Sequence, residues 1–243
     1  MYDKIKFLIN PLLHKKFILN NELFFRSIYA IFYKGNNYQC IICDYKLDRF
    51  IPFQVDELMC PKCGSSKRDR KLYHILTTNY LKEGIKVLDF SPSRCLYRKL
   101  KPDKRIEYIS TTYAGNFFAD KNEDITCINE SDNTFDLIIC YHVLEHIEND
   151  ISAMSELYRI LKRNGNCIIQ TPFKEGNIYE DATITSEEER IKHFGQNDHV
   201  RVYSVDGLRK RLESVGFIVN PQQYTEDNYY GFKEDTILFC TKQ

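Results

Sequence analysis

The hydrophobic positions of this chain change rhythm near residue 84. Beyond it, short apolar runs alternate with segments whose apolar residues recur every three or four positions, a pattern that predicts strands separated by helices or turns. Residues 85–90, 106–111, 125–128, 135–141 and 167–170 read as five successive strands, with a short helix over Arg94–Leu100. After the fourth strand, Leu144, Ile147, Ile151, Met154, Tyr158 and Leu161 mark one face of a helix, with Gly165 suited to a left-handed stop. Ser204 caps a second helix, whose face is Val205, Leu208, Leu212 and Val215 and whose stop is Gly216. Residues 217–219 and 237–240 supply two last strands, joined by a polar, tyrosine-rich stretch with no crossover helix, so they are expected to pair antiparallel. The whole is an α/β domain with a seven-stranded sheet, mostly parallel and with one reversed strand.

The pattern before residue 84 is different. Residues 1–37 read as a basic amphipathic helical arm, with six basic residues against two acidic ones and with Phe7, Leu12, Phe17, Phe24, Ile28 and Phe32 interleaved. Such a segment packs on its own domain or on a second subunit, or lies on a membrane surface, and both readings stand at this point. Pro11 interrupts or starts a helix.

Residues 38–68 form a second element, defined by cysteines. Cys40-Ile-Ile-Cys43 and Cys60-Pro-Lys-Cys63 are two CxxC pairs with sixteen residues between them. Each pair places two thiolates on one tight turn, and two facing turns give the four tetrahedral ligands of a closed structural zinc site, a small zinc-ribbon-like module. Iron in a rubredoxin-like centre is the competing occupant. Gly64 follows the second pair, where the turn calls for positive φ. The intervening residues 46–58 alternate like short strands or a hairpin, and Arg68 to Leu81 reads as a helix. Cys127, Cys140, Cys167 and Cys240 stand in predicted strands and read as small buried hydrophobes.

Charge adds little. Thirty-four basic residues balance 34 acidic ones, so no global field draws in nucleic acid, which is neither supported nor excluded. No apolar run approaches the roughly 20 residues of a membrane span, and no secretory signal is evident. A cytoplasmic protein with reduced cysteines is expected.

In an α/β sheet of this kind, ligands bind where strands meet loops at their carboxyl edge. That rule selects Asp89 to Ser93, Ser110 to Tyr113, Asp124 to Ile125 and Tyr141 to His146. Residues 171–203 form a long segment at the same edge, expected to cover a substrate.

The run Phe135-Asp136-Leu137-Ile138-Ile139-Cys140-Tyr141-His142-Val143-Leu144-Glu145-His146, followed by Glu156-Leu157-Tyr158-Arg159-Ile160-Leu161-Lys162, resembles the class I S-adenosylmethionine-dependent methyltransferases. In particular it is similar to a small group with a cysteine-rich N-terminal module. Asp198 to Tyr203 and Val215-Gly216-Phe217 extend the likeness, which covers residues 84 to 243. The resemblance implies a Rossmann-like domain over residues 69–243 that binds S-adenosylmethionine, behind a structural zinc site at Cys40, Cys43, Cys60 and Cys63. It places Asp89 and Ser91 near the cofactor's amino-acid end, Thr112 by the ribose, Asp124 and Ile125 by the adenine, and His142 at the methionine pocket. The first loop reads Asp89-Phe90-Ser91-Pro92-Ser93 where the family has Gly-x-Gly-x-Gly, and Thr111-Thr112 stands where an acidic residue is usual.

His199 is the candidate general base, since a histidine can accept a proton from a hydroxyl as its oxygen attacks the methyl group. Pinning of the covering segment by Asp198, His199 and Arg201 is the structural alternative. The expected acceptor is small and polar, such as a sugar or glycan precursor, methylated on a hydroxyl or amine. Two other functions stay open: a noncatalytic interaction protein that keeps the fold, and an RNA or protein methyltransferase. The last is motivated by Lys62, Lys67, Arg68, Arg70 and Lys71 around the second cysteine pair.

Overall fold

A computed structural model describes residues 21–53, 57–113 and 119–243. Pro11 and the rest of the expected arm up to residue 20 lie outside the described residues. The chain forms two compact units: one runs up to Thr78 and includes Thr225–Lys233, and the other comprises Asn79–Tyr224 with Glu234–Gln243.

In the first unit, α1 (Glu22–Ala30) carries a buried ion pair one turn apart, Arg26 Nε to Glu22 Oε1 at 2.8 Å. Leu23, Phe24 and Ile28 on this helix, and Ile31 and Phe32 just after it, are exposed. The strands that follow are short. β1 (Lys34–Gln39) pairs antiparallel with β2 (Lys46–Leu47), and β3 (Ile51–Pro52) pairs with β4 (Leu58–Met59).

Helix α2 (Lys67–Ile75) starts in a capping box, in which Asp69 N donates to Ser66 Oγ and Ser66 N donates to Asp69 Oδ2. The helical reading to Leu81 continues as a π-helical turn over Leu76–Tyr80. Arg70 on α2 is fully buried, and its guanidinium donates to the carbonyls of Ser65, Leu58, Tyr230 and Gly231 while lying 4.0 Å from the ring centroid of Phe50. It joins the second cysteine turn, β4 and the 225–233 segment. Lys71 is buried as well, bonded to the carbonyls of Thr225 and Lys233. Two of the five cations grouped as a nucleic-acid patch are therefore internal ties rather than surface charge.

The second unit is built on the sheet. Its elements are β5 (Lys86–Phe90), α3 (Arg94–Leu100), β6 (Glu107–Thr112), β7 (Lys121–Asn122), β8 (Phe135–Tyr141), α4 (Asp150–Ile160), β9 (Leu161–Gln170), β10 (Tyr179–Glu180), α5 (Glu187–Phe194), β11 (Arg201–Val202), α6 (Val205–Ser214), β12 (Ile218–Tyr224) and β13 (Asp235–Thr241). Seven strands run in the order β12-β13-β9-β8-β5-β6-β7, and β13 alone is antiparallel to its neighbours. This is the expected Rossmann-like sheet. Order reverses between β5 and β8: from β5 the chain builds outward through β6 and β7, then returns to β8.

The central strands are buried on both faces, and Leu88, Phe135, Ile138, Met154, Leu157, Leu161, Ile169, Leu208, Leu212 and Leu238 pack in one core with 0–1% exposure. Each such side chain contributes about 1.5–3 kcal/mol through loss of contact with water.

Several boundaries differ from the periodic reading. The third strand is Lys121–Asn122, beside the end of β6, while residues 125–128 turn back on themselves. Ile125 and Ile128 point into the core three residues apart, as a turn requires, and Cys127 is exposed instead of buried. Cys140, Cys167 and Cys240 are buried as expected. The helix after β8 starts at Asp150, capped by Asn149, because Leu144–His146 forms a separate 3-10 turn; Ile151 consequently faces solvent. That helix ends at Ile160, and the left-handed residue beyond it is Asn164 (φ 59°), not Gly165. The second predicted helix stands as read, with Ser204 Oγ accepting from Gly207 N and Gly216 at φ 110°. Among the described residues no helix is long and apolar enough to cross a membrane.

Candidate functional site

The strand order puts a crevice at the carboxyl ends of β5 and β8, where neighbouring connections leave in opposite directions. Both strands end in a left-handed residue, Ser91 at φ 52° and His142 at φ 53°. Each is held by a flanking strand: Ser91 N donates to Thr111 O, and His142 N donates to Gln170 O, both at 2.8 Å. Ser91 stands in the loop where the family has Gly-x-Gly-x-Gly, and it adopts the backbone conformation that glycine favours. Ser93 then caps α3.

The other expected cofactor residues occupy the same edge in different states. Asp89 is buried and accepts from Tyr108 Oη at 2.7 Å, and the carboxylate in turn pushes the Tyr108 hydroxyl further above its usual range than burial alone does. Thr112 is buried at the end of β6. Asp124 is exposed and closes its own turn, accepting from Thr126 N at 2.8 Å and Thr126 Oγ1 at 2.7 Å; these bonds hold its carboxyl below the usual range. Ile125 belongs to the core. Three polar atoms, Thr111 Oγ1, Tyr141 Oη and Gln170 Oε1, are buried at the ends of β6, β8 and β9 with no hydrogen-bond partner among the described residues. Sequence reading placed Thr111 and Tyr141 in ligand-edge segments but passed over Gln170, because nothing in composition separates a satisfied strand-end polar group from an orphaned one.

Residues 171–203 fold into the β10–β11 pair and helix α5. Arg201 is the main tie, donating to Glu148 O at 2.8 Å, to Leu144 O and Ile147 O, and to Glu180 Oε2 at 2.8 Å. Arg201 and Tyr203 are thus anchors of this segment.

His199 has another character. It is 3% exposed, its Nδ1 lies 3.1 Å from Phe194 O, and its Nε2 has no hydrogen-bond partner among the described residues. Its ring meets His146 edge to face, with centroids 4.7 Å apart, and His146 Nδ1 lies 3.2 Å from Asp198 Oδ2. Glu145, 1% exposed, completes the group: one oxygen of Glu145 and one ring nitrogen from each histidine lie within 4.8 Å of one another. His142 Nδ1 lies 3.2 Å from Glu145 Oε1, and among the described residues neither oxygen of Glu145 accepts a well-formed hydrogen bond. Burial opposes ionisation of Glu145, but the His142 imidazole outweighs it and holds the carboxyl below its usual range. Glu145 is the functional candidate that sequence reading missed. Its signal was a glutamate beside a histidine in the turn directly after a buried strand.

In the other unit, the four thiols of Cys40, Cys43, Cys60 and Cys63 converge within 4.8 Å, with Sγ–Sγ distances of 3.6 Å for Cys40–Cys63 and 3.7 Å for Cys43–Cys60. Each CxxC turn is followed by a left-handed residue, Asp44 at φ 55° and Gly64 at φ 79°. Ser65 Oγ lies 3.3 Å from Cys40 Sγ and 3.2 Å from Cys63 Sγ. Hydrogen bonds from the other three thiols push Cys40 far down, and its thiolate pushes Cys43, Cys60 and Cys63 up. A bound cation is what would ionise all four thiols together.

Known proteins place this architecture. A curated but uncharacterized protein of Methanocaldococcus jannaschii is 39% identical over 77 residues, 30% of this chain, and the match spans only 34% of that protein's length. The fold is similar to that of an S-adenosylmethionine-dependent methyltransferase from Archaeoglobus fulgidus, with TM-score 0.53 and 17% identity over 74% of this chain and 95% of that one. It is also similar to a phosphoethanolamine N-methyltransferase of Haemonchus contortus solved with phosphomonomethylethanolamine and S-adenosylhomocysteine, with TM-score 0.53 and 12% identity over 71% of this chain and 52% of that one. The methyltransferase-domain family matches residues 66–221, more than half of the sequence, and the chain belongs to that family.

Proposed function

We propose that this chain transfers a methyl group from S-adenosylmethionine to a hydroxyl or amine of a small polar acceptor, a sugar or glycan precursor being the class expected. The observation that carries the reading is the pair of left-handed strand ends, Ser91 and His142, at the point where sheet order reverses. The residues there suit the cofactor, since orphaned Thr111 Oγ1, Tyr141 Oη and Gln170 Oε1 offer hydrogen bonds to a polar ligand at the same edge. Asp89, Ser91 and His142 would hold its amino-acid end, Thr112 the ribose, and Asp124 with Ile125 the adenine. When bound, the cofactor would supply an electrophilic methyl group on its sulfonium for transfer to the acceptor heteroatom. The protein's contribution is then largely positioning and exclusion of water. On the acceptor side, Nε2 of His199 is the ring nitrogen available to the acceptor's proton.

The acceptor class is supported by the buried, polar character of the group around His199 and by the Haemonchus enzyme, whose bound acceptor is small and charged. The burial of Arg70 and Lys71 weighs against RNA. Zinc is the proposed occupant of the cysteine cluster, in a folding role, because four thiolates leave no position open to substrate. Calorimetric titration with S-adenosylmethionine and S-adenosylhomocysteine tests the central claim. Micromolar binding is expected, and no heat at millimolar ligand would leave a noncatalytic protein of the same fold.

A further inference from the structure

We propose that Glu145, His146 and His199 form a binding site for one divalent transition-metal ion, distinct from the cysteine cluster, at the carboxyl edge of the sheet. The cluster brings together two imidazoles and a carboxylate, a ligand set that suits zinc, manganese, iron or cobalt. Calcium and magnesium, which prefer oxygen ligands, are the poorer match. Three protein ligands leave coordination positions open, in contrast to the closed set of four cysteines.

Burial is the first argument. Glu145 is 1% exposed and His199 is 3% exposed, yet among the described residues Glu145 Oε2 and His199 Nε2 have no hydrogen-bond partner. A carboxylate withdrawn from water costs several kcal/mol unless a cation or donors replace the lost hydration. The His142 ring lies beside the other oxygen, Oε1, and leaves Oε2 unserved.

Orientation is the second. The contact between His199 Nδ1 and Phe194 O places the proton on Nδ1 and turns the lone pair of Nε2 inward, the arrangement that metal-ligating histidines commonly show. His146 has a carboxylate at Nδ1, that of Asp198, 3.2 Å away. The two ligand segments are also fixed to each other, because Val200 N donates to Glu145 O at 2.9 Å and Arg201 grips the carbonyls on either side of His146. The three side chains therefore converge from a held backbone.

A base role for His199 accounts for its own Nε2 but leaves Glu145 Oε2 and the convergence of His146 on it unexplained. A metal ion accounts for all three. In this assignment His199 is a ligand, and an oxygen of a polar acceptor takes an open position on the ion. That last clause rests on the methyltransferase reading; ion binding itself does not.

The test uses the full chain with its cysteine module filled with zinc, titrated without S-adenosylmethionine. Manganese(II) binding is followed by loss of the free-ion paramagnetic resonance signal, and cobalt(II) binding by visible absorption. One additional equivalent is expected, with a cobalt spectrum free of thiolate charge transfer. Glu145→Gln, His146→Ala and His199→Ala should each weaken binding by at least about tenfold with zinc content unchanged. His146 is only partly buried, so His146→Ala keeps the test valid if the Glu145 variant does not fold. The proposal is overturned by no saturable binding of either ion, or by folded variants that bind like the parent. A protein that binds the ion but no cofactor would refute the methyltransferase reading alone.

Discussion

Tyr203 donates its hydroxyl proton to Asp150 across 2.6 Å, and both residues are buried. Arg211 Nη1 donates to the same carboxylate oxygen, and Arg201 Nε lies 3.8 Å away, so one acid at the start of α4 serves three partners brought by the covering segment and α6. Removing one partner of a buried ionic group leaves the others uncompensated, which costs about 3–5 kcal/mol. Asp150→Ala is therefore expected to lower unfolding free energy by about that amount, and Tyr203→Phe by about 1–3 kcal/mol. Urea titration measures both. Losses below about 0.5 kcal/mol would show that the cluster is solvated rather than structural.

The sheet was legible in the sequence because its strands are buried on both faces and read as apolar runs, as at Ile138 to Cys140 and Cys167 to Ile169. Where burial is local, periodicity failed. Ile125 and Ile128 look like a strand but are two core contacts of a turn, and the strand beside β6 is the polar pair Lys121–Asn122, which carries no apolar signal. The cysteine ligands were legible from spacing alone. The incorporation of Thr225–Lys233 into that unit was not, since it depends on Arg70 and Lys71 reaching backbone carbonyls more than 150 residues away. Glu145 was hidden for a related reason: its significance lies in what fails to contact Oε2.

Ser91 carries a left-handed backbone on a residue with a Cβ, which costs about 1–2 kcal/mol relative to its ordinary conformation. Glycine removes that strain but restores chain entropy to the unfolded state, so Ser91→Gly should stabilise by roughly 0.5–1 kcal/mol. Ser91→Val should destabilise by about 1–2 kcal/mol, because a β-branched side chain tolerates the conformation poorly. Paired thermal melts decide it. If both variants melt with the parent, the strand end relaxes in solution and cannot shape the proposed cofactor site.

The zinc proposed for the four convergent thiols, in a unit of short strands, is expected to carry much of that unit's stability. Cys60→Ser, or chelation of the parent, should lower bound zinc below one equivalent. Amide protection should then fall in β1 to β4 and in residues 225–233, which Arg70 ties to the second cysteine turn through Ser65 O. Unchanged protection after complete metal removal would assign the fold of this unit to Arg70 and its carbonyls instead.

Acid should loosen the segment over residues 171–203 before it unfolds the sheet. Arg211 above all, with Arg201 beside it, holds the Glu180 carboxyl below its usual range against the opposing effect of burial. A carboxyl depressed in the folded state contributes stability that is present above its unfolded value, about pH 4.3, and is lost as pH falls through the lower folded value. Melting temperature should thus fall more steeply below about pH 4.3 for the parent than for Glu180→Gln, which has no such proton to take up. The side chain is 41% exposed, so salt should shrink the difference by screening the two guanidinium contacts. Parallel acid-limb profiles for the two proteins would mean that Arg201 holds the β10–β11 pair through backbone carbonyls alone, with the carboxylate along for solvation.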